Sequence, residues 1–294
     1  MAPTARRPAR GRRPRRAVSP EQHPAPSWQT LEEQTDWAKV VYYGDSGTGK
    51  TTALASMAKM GPVLVVNAES GLKKRPLRGL GIPVDQIQTT RVTGFDDAEA
   101  LTRDLHQRFE DDPSCLLAVL IDSITEIETV LMNEGLSEEV RKAQLRGVDR
   151  DVFLTEGDDW VRNNAKMRRF IRRLRDLPCH VGFSALSRRD IDEEGVVMYR
   201  PALGPQVAGV LVAYCDISVA MQPFIVQPRH RDIVWGITRR QGKWSGKDRF
   251  RILPAQMPYP SLDRIVAYLE GSLTAKTDPE VAAFRAYRDR NKET

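Results

Sequence analysis

Residues 44–52 read Gly44-Asp45-Ser46-Gly47-Thr48-Gly49-Lys50-Thr51-Thr52. The stretch fits the pattern GxxxxGK[ST], in which glycines allow backbone N–H groups to wrap around phosphates. An apolar run, Lys39–Tyr43, precedes the stretch, and a helical pattern over residues 50–60 follows it. This context is what the motif requires, and a chance glycine-rich turn would lack it. The sequence therefore predicts a strand, a phosphate-binding loop and the start of a helix.

The motif assigns chemistry to the loop and to two of its side chains. All nine residues are predicted to bind ATP, because the loop and the helix N-terminus surround the phosphates. Lys50 is expected to reach the β- and γ-phosphates and to act in catalysis, and the Thr51 hydroxyl is expected to ligate Mg²⁺. ATP and Mg²⁺ are therefore the expected cofactors.

A carboxylate at the end of a buried strand is expected to complete the magnesium site. The most apolar run of the chain covers residues 116–121 and is followed directly by Asp122 and Ser123. At the carboxyl end of a parallel sheet, Asp122 would bind Mg²⁺ through water. The alternative is that Asp122 only caps the next helix, because Asp and Ser favour that position.

Hydrolysis also requires a group that orients or deprotonates the attacking water. Glu69 is the candidate, because it follows the apolar run over residues 62–67 and should face the same crevice as the loop. The alternative is an exposed loop acid or a helix cap.

The alternation of short apolar runs with helical stretches predicts an α/β fold with a mostly parallel central sheet flanked by helices. Helical patterns cover residues 96–108 and 123–176, and a polar hairpin is predicted over 187–203. Residues 275–294 are predicted to be a marginal helix or a frayed end. Further strands are predicted at residues 88–92, 180–186, 216–221, 233–239 and 249–253.

The positive charge of the chain is concentrated at its N-terminus. The net charge is +6, and seven arginines precede the first acid, Glu21. The same segment is rich in proline and poor in large apolar residues, so residues 1–30 are predicted to be a disordered tail. The tail either attracts nucleic acid or only aids solubility. An ATPase domain over residues 31–272 and a charged extension over 273–294 complete the predicted organisation.

Several other classes of protein are disfavoured by composition. No run of about 18 apolar residues is present, so no membrane partner is expected and a cytoplasmic location is the default. Cys115, Cys179 and Cys215 are odd in number and lack CxxC spacing, so neither a disulfide nor a zinc site is predicted. The four histidines have no spacing typical of a metal site.

Taken together, these motifs resemble the RecA/RadA-type recombinase core, and more closely the compact phage ATPases described as single-strand annealing proteins. The resemblance covers residues 39–254. Asn67-Ala68-Glu69 stands where the family has Asp-Ala-Glu, and Asp122-Ser123 matches the family's Asp-Ser. The resemblance implies a RecA-like ATPase with Glu69 as the catalytic base, and a host-cell cytoplasmic location if a phage encodes it.

The resemblance also implies that the chain binds single-stranded DNA. The family has a polar sensor and then a DNA-binding loop after the next strand, where this chain has Phe183-Ser184-Ala185-Leu186-Ser187-Arg188-Arg189. Leu186 stands at the family's glutamine, so Ser184 or Ser187 is the candidate replacement. Arg188, Arg189 and Arg200 are the predicted DNA-binding residues, with a charged exposed hairpin as the alternative.

A last element of the resemblance implies self-association into a ring or filament. Lys247-Asp248-Arg249-Phe250 is similar to the Lys-Asn-Arg-Phe of RadA, whose basic residues reach the ATP of the neighbouring subunit. Lys247 and Arg249 are therefore predicted to be catalytic in trans. The alternative is that residues 242–247 form a hairpin turn with solvated charges.

The sequence as a whole favours an ATP-dependent, single-stranded-DNA-binding recombination protein that anneals or pairs strands, with a single-strand-binding protein as a further expected partner. Two other functions stay open. One is a small-molecule kinase in which the arginines of residues 187–203 form a lid over phosphate. The other is a helicase-loader-type ATPase in which ATP controls assembly. A GTPase is disfavoured because the guanine-reading motif NKxD is absent from the sequence.

Overall fold

The computed structural model describes residues 30–149, 151, 154–191, 195–226 and 231–290. The predicted basic tail lies outside these ranges apart from residue 30, and residues 291–294 also lie outside them. The chain divides into two units, Met1–Thr35 and Asp36–Thr294. In the described part of the first unit, Leu31–Glu33 form a 3₁₀ turn capped by Thr30.

The second unit alternates strands with helices. Its strands are β1 (Lys39–Tyr43), β2 (Val63–Asn67), β3 (Ile87–Thr90), β4 (Ala118–Asp122), β5 (His180–Ala185), β6 (Ser187–Ile191), β7 (Val197–Pro201), β8 (Ile217–Val226), β9 (Arg231–Ile237), β10 (Arg240–Gln241), β11 (Trp244–Ser245), β12 (Lys247–Asp248) and β13 (Gln256–Pro258). Its helices are α1 (Lys50–Ala55), α2 (Lys74–Gly79), α3 (Phe95–Asp111), α4 (Ile124–Leu145), α5 (Gly157–Arg175), α6 (Pro205–Tyr214), α7 (Leu262–Leu269) and α8 (Pro279–Arg290).

The main sheet has the strand order β13-β9-β8-β1-β5-β4-β2-β3, with β12 paired to β8. The six strands from β8 to β3 are parallel, and β9, β12 and β13 join antiparallel. Every residue of β1, β4 and β5 is buried, as their apolar sequences predict. This is the predicted α/β fold with a mostly parallel central sheet flanked by helices, and the fold class is confirmed. The carboxyl ends of β1, β5, β4 and β2 lie side by side in that order.

Successive residues of a strand point to opposite sides, so these apolar strands present apolar side chains on both faces of the sheet. Helices cover both faces. Val41, Val119 and Phe183 point to one side, the α5 face, which α3, α4, α5 and α6 cover. Val40 and Leu120 point to the other side, the α1 face, which α1 and α7 cover. None of the helices in the described ranges has the length and apolarity needed to cross a bilayer.

The predicted hairpin over residues 187–203 is confirmed as an antiparallel pair of strands, β6 and β7. These strands belong to a second, four-stranded sheet with the order β10-β11-β7-β6. The two sheets meet where the Tyr43 hydroxyl of β1 accepts a hydrogen bond from the Ser245 backbone N–H of β11, at 2.9 Å. The second sheet is thus anchored to the strand that leads into the phosphate-binding loop.

The predicted strand at residues 249–253 is wrong, since these residues adopt no strand. The Asp248 carboxylate accepts backbone hydrogen bonds from Arg251 at 2.9 Å and from Leu253 at 2.8 Å. Arg251 also has a positive φ of 58°. Together these features turn the chain away from the sheet, because an aspartate side chain can replace the hydrogen bonds of a strand.

The chain beyond residue 272 packs onto the main sheet. Asp278 is 0% exposed, and its carboxylate is paired with Arg264 and accepts a hydrogen bond from the Tyr268 hydroxyl at 2.8 Å. Phe284 of α8 contacts Trp235 of β9, with ring centroids 4.1 Å apart. The predicted boundary at residue 272 stays a prediction, whereas α8 contacts the sheet through Phe284.

Candidate active site

The phosphate-binding loop connects the buried strand β1 to α1. Gly47 and Gly49 have φ values of 80° and 82°, a backbone region that favours glycine. Gly44 has no room for a side chain, because a Cβ atom there would lie 2.5 Å from the carbonyl oxygen of Met221. Asp45, Ser46 and Gly47 form the exposed tip of the loop, and the buried Thr48 donates its hydroxyl to the Asp45 carbonyl at 2.9 Å.

Lys50 lies at the first position of α1 and is only 9% exposed. Its Nζ donates hydrogen bonds to the carbonyl oxygens of Gly44 at 2.9 Å and Asp45 at 2.7 Å. Burial lowers the pKa of this amine, and the negative charges of Glu69, Asp122 and Asp45 partly oppose that change. The ammonium group is therefore held inside the loop, facing the predicted phosphate site.

Asp122 ends β4 and joins the loop to β5. Its Oδ2 accepts a hydrogen bond from the Thr51 hydroxyl at 2.8 Å, and its Oδ1 accepts one from the Ser184 hydroxyl at 2.5 Å. Burial raises the pKa of this carboxyl, and the two hydroxyls act in the opposite direction. The helix cap is Ser123 and not Asp122, because the Ser123 oxygen accepts a hydrogen bond from Glu126 N at 3.3 Å.

Glu69 follows β2 and lies beside Asp122. Backbone N–H groups of Ala68 and Glu69 donate to the Asp122 carbonyl, at 2.8 and 3.4 Å. The Ser123 hydroxyl donates a hydrogen bond to Glu69 Oε1. The structure thus brings Lys50, Asp122 and Glu69 together at one edge of the sheet.

The hairpin that carries the predicted DNA-binding arginines adjoins the phosphate-binding loop. Gly44 N donates to the Ala185 carbonyl at 3.3 Å, and Ser187 N donates to the Gly44 carbonyl at 3.2 Å. The Ser187 hydroxyl also donates to the Asp45 carboxylate. Arg188 and Arg200 are opposite each other in the hairpin.

The two sides of this hairpin differ, since paired residues share a side and successive residues alternate: Arg188 and Arg200 lie on one side, and Arg189 and Tyr199 lie on the other. Arg189 lies opposite Tyr199, and Arg200 lies 3.5 Å from Asp190. Tyr199 stacks on Trp244 with ring centroids 4.3 Å apart. Leu186, at the predicted sensor position, is 37% exposed, and its backbone N–H donates to the Thr125 hydroxyl at 3.1 Å.

Lys247 and Arg249 lie at the opposite end of the sheet, beside the start of β8. Lys247 Nζ donates to carbonyls at the end of α6, including those of Val212 at 2.8 Å and Cys215 at 2.6 Å. Arg249 pairs with Asp216 at 2.7 Å. The structure does not bring these two cations to the phosphate-binding loop of the same chain.

Residues 36–250 match the family model of the AAA domain. The match covers most of the chain. The chain belongs to the AAA domain family. Together with the phosphate-binding loop, this membership identifies the AAA domain as a nucleotide-binding P-loop ATPase.

One solved structure that resembles this AAA domain is a KaiC-like protein from the hyperthermophilic archaeon Pyrococcus horikoshii OT3. The two share 13% sequence identity, the match covers 75% of this chain and 84% of that chain, and the TM-score is 0.43. No curated protein sequence matches the chain.

The AAA domain has oxygen donors suited to Mg²⁺, which the family implies together with a nucleotide. The Thr51 hydroxyl and the Asp122 carboxylate are adjacent, and Asn67 Oδ1 is buried without a hydrogen-bond partner among the described residues. Asn67 is paired with Asp122 in the sheet register, so both side chains point to the α1 face. Hard oxygen ligands of this kind are what Mg²⁺ prefers, so these residues fit the ion.

A cavity of about 520 Å³ opens beside the helical end of the phosphate-binding loop of the AAA domain. Its volume lies in the range of small-molecule sites. The walls are mainly apolar, and α1, α7 and α8 contribute to them. The lining residues include Gly49, Thr52, Ala53, Leu80, Ile82, Met221, Val234, Tyr259, Arg264 and Glu280.

Sequence reasoning missed two features of this site. The first is Asn67, which entered the sequence analysis only as part of the motif Asn67-Ala68-Glu69 and was given no role. Asn67 is paired with Asp122 in the sheet. The second is the cavity, whose walls come from segments as far apart in sequence as Gly49 and Glu280. No local sequence pattern identifies the residues that line the cavity. A sequence signal for Asn67 did exist, because the residue ends a predicted strand beside the predicted site.

Proposed function

We propose that this AAA domain hydrolyses ATP to act on single-stranded DNA, as an annealing or strand-pairing protein in phage-type recombination. The observation that carries the proposal is the direct hydrogen bonding between the phosphate-binding loop and the hairpin that bears Arg188, Arg189 and Arg200. A change in the loop on nucleotide binding or hydrolysis would reach the hairpin through these bonds.

The hydrolytic step follows from five side chains. Lys50 moves its ammonium group from the loop carbonyls to the γ-phosphate and stabilises the charge that develops there. Thr51 and Asp122 would hold Mg²⁺, and the ion would supply positive charge that neutralises the phosphates. Glu69 accepts the proton of the attacking water, and the Ser123 hydroxyl orients that carboxylate.

The nucleoside part of ATP is proposed to occupy the cavity beside α1. Gly49 and Thr52 belong both to the phosphate-binding loop and to the cavity wall, so a ligand can extend from one into the other. Leu80, Ile82 and Val234 offer apolar contacts to a planar base.

The DNA contact is proposed for the β6–β7 hairpin. Arginines neutralise phosphates, and aromatic rings stack on bases in single-strand binding surfaces. Arg189 supplies charge on the side that carries the half-buried Tyr199–Trp244 pair, and Arg188 and Arg200 supply charge on the opposite side.

Self-association is proposed because Lys247 and Arg249 lie at the amino end of β8, whereas the phosphate-binding loop follows the carboxyl end of β1. The five residues of β1 span about 17 Å at roughly 3.3 Å per residue. These cations therefore reach a nucleotide only in another copy of the chain, within a ring or filament. A single-strand-binding protein is the expected accessory partner.

The proposal is tested by measuring ATP hydrolysis with and without single-stranded DNA, over a range of protein concentrations. Lys50→Ala provides the blank, and the triple variant of Arg188, Arg189 and Arg200 to Ala tests the hairpin. Arg103→Ala, an exposed arginine of α3, is the matched control. We expect DNA to stimulate the native chain and Arg103→Ala, and stimulation to fall about tenfold or more in the triple variant.

The same assay separates the other two functions. A rate that DNA leaves unchanged would refute the proposal. Transfer of the γ-phosphate to a small molecule would then identify a kinase, and dependence on a helicase or another protein partner would identify a loader.

A further inference from the structure

A second cavity, of about 440 Å³, lies between α4 and α5. Both helices cover the α5 face of the sheet, whereas α1 and the proposed nucleoside cavity are on the α1 face. The floor of the second cavity is apolar and consists of Leu131, Met132 and Leu136. None of the described residues that line this cavity belongs to the phosphate-binding loop, and Asp122 and Glu69 are not among them.

Asn163 lines the second cavity and is the feature that the fold does not explain. The residue is 3% exposed, and neither the nitrogen nor the oxygen of its side chain has a hydrogen-bond partner in the part of the chain that the structure describes. Burying an amide without hydrogen bonds destabilises a fold, and buried amides usually have a protein or water partner, so the missing partner of Asn163 requires an explanation. A ligand in the cavity can supply both a donor and an acceptor.

The rim of the second cavity attracts anions. It has four cations, Lys142, Arg146, Arg162 and Lys166, and three acids. The acid Glu139 is already paired with Arg162 at 2.7 Å and with Lys142 at 2.8 Å, and these hydrogen bonds lower its pKa to about 2.

The other two acids leave the balance of charge positive. Asp159 accepts a hydrogen bond from the Glu156 backbone N–H at 2.9 Å, and Glu138 is exposed. Arg146 and Lys166 have no ion pair with the described residues, and Lys166 lies 4.7 Å from the ring centroid of Phe95. A phosphate or carboxylate at the rim would meet uncommitted positive charge.

We propose that the cavity between α4 and α5 binds a nucleoside phosphate at a site separate from the phosphate-binding loop. A planar base fits the apolar floor, and the Asn163 amide matches the adjacent donor and acceptor on a base edge, as asparagine does with adenine. Arg146 and Lys166 bind the phosphate. The ligand is either a free nucleotide or one nucleotide of a single strand, since both present the same groups.

The test uses the full chain with Arg188, Arg189 and Arg200 changed to Ala, so that a strand bound at the hairpin adds no site, and with its phosphate-binding loop saturated by a non-hydrolysable ATP analogue and Mg²⁺. Labelled deoxyadenosine monophosphate and a short oligodeoxyadenylate are then titrated in separate arms of an equilibrium binding experiment. We expect one further site per chain in at least one arm. Binding of the monophosphate alone identifies a free nucleotide, and binding of the oligonucleotide alone identifies a strand.

Two variants assign that binding to the cavity. Asn163→Leu should weaken it about tenfold or more, and should unfold at the same or a higher temperature than the native chain because it removes the unpaired amide. Asn133→Leu, at an exposed position of α4, is the matched control and should bind normally. If Asn163→Leu does not fold, Arg146→Gln with Lys166→Gln tests the rim instead, with the same expected loss.

Absence of a further site in both arms would overturn the proposal. So would binding that Asn163→Leu and the rim variant leave unchanged. This experiment measures binding and not ATP turnover, and the phosphate-binding loop is saturated throughout. Its outcome is therefore independent of whether DNA stimulates hydrolysis, which tests the proposed function.

Discussion

Glu69 and Asp122 end neighbouring strands, yet different hydroxyl groups hold their carboxylates. Asp122 accepts hydrogen bonds from Thr51 and Ser184, whereas Glu69 accepts one from Ser123. Asp122 is 3% exposed and Glu69 is exposed. Asp122 is therefore suited to a fixed ligand role, and Glu69 is free to meet a water molecule from solvent.

Replacing Glu69 by Gln should separate binding from hydrolysis. The amide keeps the shape of the side chain but cannot accept the proton, so we expect turnover to fall by about 10²–10⁴-fold. ATP affinity should stay within about twofold of the native value. Steady-state hydrolysis and binding of a fluorescent ATP analogue measure the two quantities. Turnover equal to that of the native chain would remove Glu69 from the mechanism.

A methyl group at Gly44 should disrupt the phosphate-binding loop through a clash with the backbone. A Cβ atom there would lie 2.5 Å from the Met221 carbonyl oxygen, which has little freedom to move. We expect Gly44→Ala to lose ATP affinity and to unfold at a lower temperature. Gly209→Ala, within α6 and without a neighbour within 4 Å, is the control and should gain about 0.5–1 kcal/mol. A fully active Gly44→Ala variant would contradict the clash.

For single residues, the sequence predicted the positions of those that belong to recognisable motifs. The loop residues, Asp122 and Glu69 stand together at the carboxyl edge of the sheet, as their positions after apolar runs predicted. The sequence left Ser184 and Ser187 as the two candidates for the sensor. Choosing between them requires knowing which strand lies next to β4. The hydrogen bond from Ser184 to Asp122 follows from that strand order, which a motif does not encode.

The β6–β7 hairpin is linked to the loop by one side-chain hydrogen bond and one backbone hydrogen bond, both made by Ser187. We expect Ser187→Ala, which removes the bond to Asp45, to lower the ratio of DNA-stimulated to unstimulated hydrolysis several-fold. The two rates measured side by side give this ratio directly. Ser137→Ala, at an exposed position of α4, should leave the ratio unchanged. An unchanged ratio in Ser187→Ala would show that the side-chain bond does not couple the two elements.

The starts of β1 and β5 are held together by a buried histidine. His180 Nδ1 accepts a hydrogen bond from Ala38 N at 3.1 Å, and burial, followed by the charge of Lys39, lowers its pKa from 6.5 to about 4. The native state therefore stays neutral while the unfolded chain takes up a proton below pH 6.5. Stability from this residue is complete above that pH and is lost as the pH falls toward 4.

We expect this residue to contribute roughly 2 kcal/mol of the loss in unfolding free energy between pH 7 and pH 5. Urea unfolding at the two pH values measures the total loss. His180→Gln should show a smaller loss than the native chain, since glutamine can accept the same bond without titrating. His106→Gln should show the native loss. Equal losses in all three proteins would rule out His180 as the source.

Strands with a clear apolar run in the sequence were predicted well. Segments whose secondary structure depends on contacts with other residues were not. The strands Lys39–Tyr43 and Val63–Asn67 have unbroken apolar runs and were placed within one residue. The strand predicted at residues 249–253 does not form, because the backbone N–H groups of Arg251 and Leu253 donate hydrogen bonds to the Asp248 carboxylate and not to a neighbouring strand. Helix α6 was not predicted, since its valines and glycine favour other structures.

At the scale of the whole molecule, two inactive variants should restore activity when mixed. Lys50→Ala removes phosphate binding, and Arg249→Ala removes the cation offered to a neighbour. If Arg249 acts in trans, mixed assemblies contain some sites with both groups intact. We expect hydrolysis in the mixture to exceed the sum of the separate rates, measured at concentrations that allow assembly.

The ion pair of Arg249 with Asp216 requires a separate control. Asp216→Asn breaks the same pair but leaves Arg249 available, so it should retain most of the turnover. Loss of activity in both variants, without recovery on mixing, would indicate a structural role within one chain.

Helix α8 contributes Glu280 to the wall of the cavity beside α1, and Arg264 of the same wall holds the buried Asp278 just before that helix. A nucleoside in the cavity would therefore bind only while the last helix is docked. Such a ligand adds RT ln(1 + [L]/Kd) to the cost of undocking, about 2.7 kcal/mol at 100 times Kd. The amide hydrogens at the far C-terminus should then exchange with deuterium about a hundredfold more slowly, although they lie more than 200 residues from Lys50 in sequence.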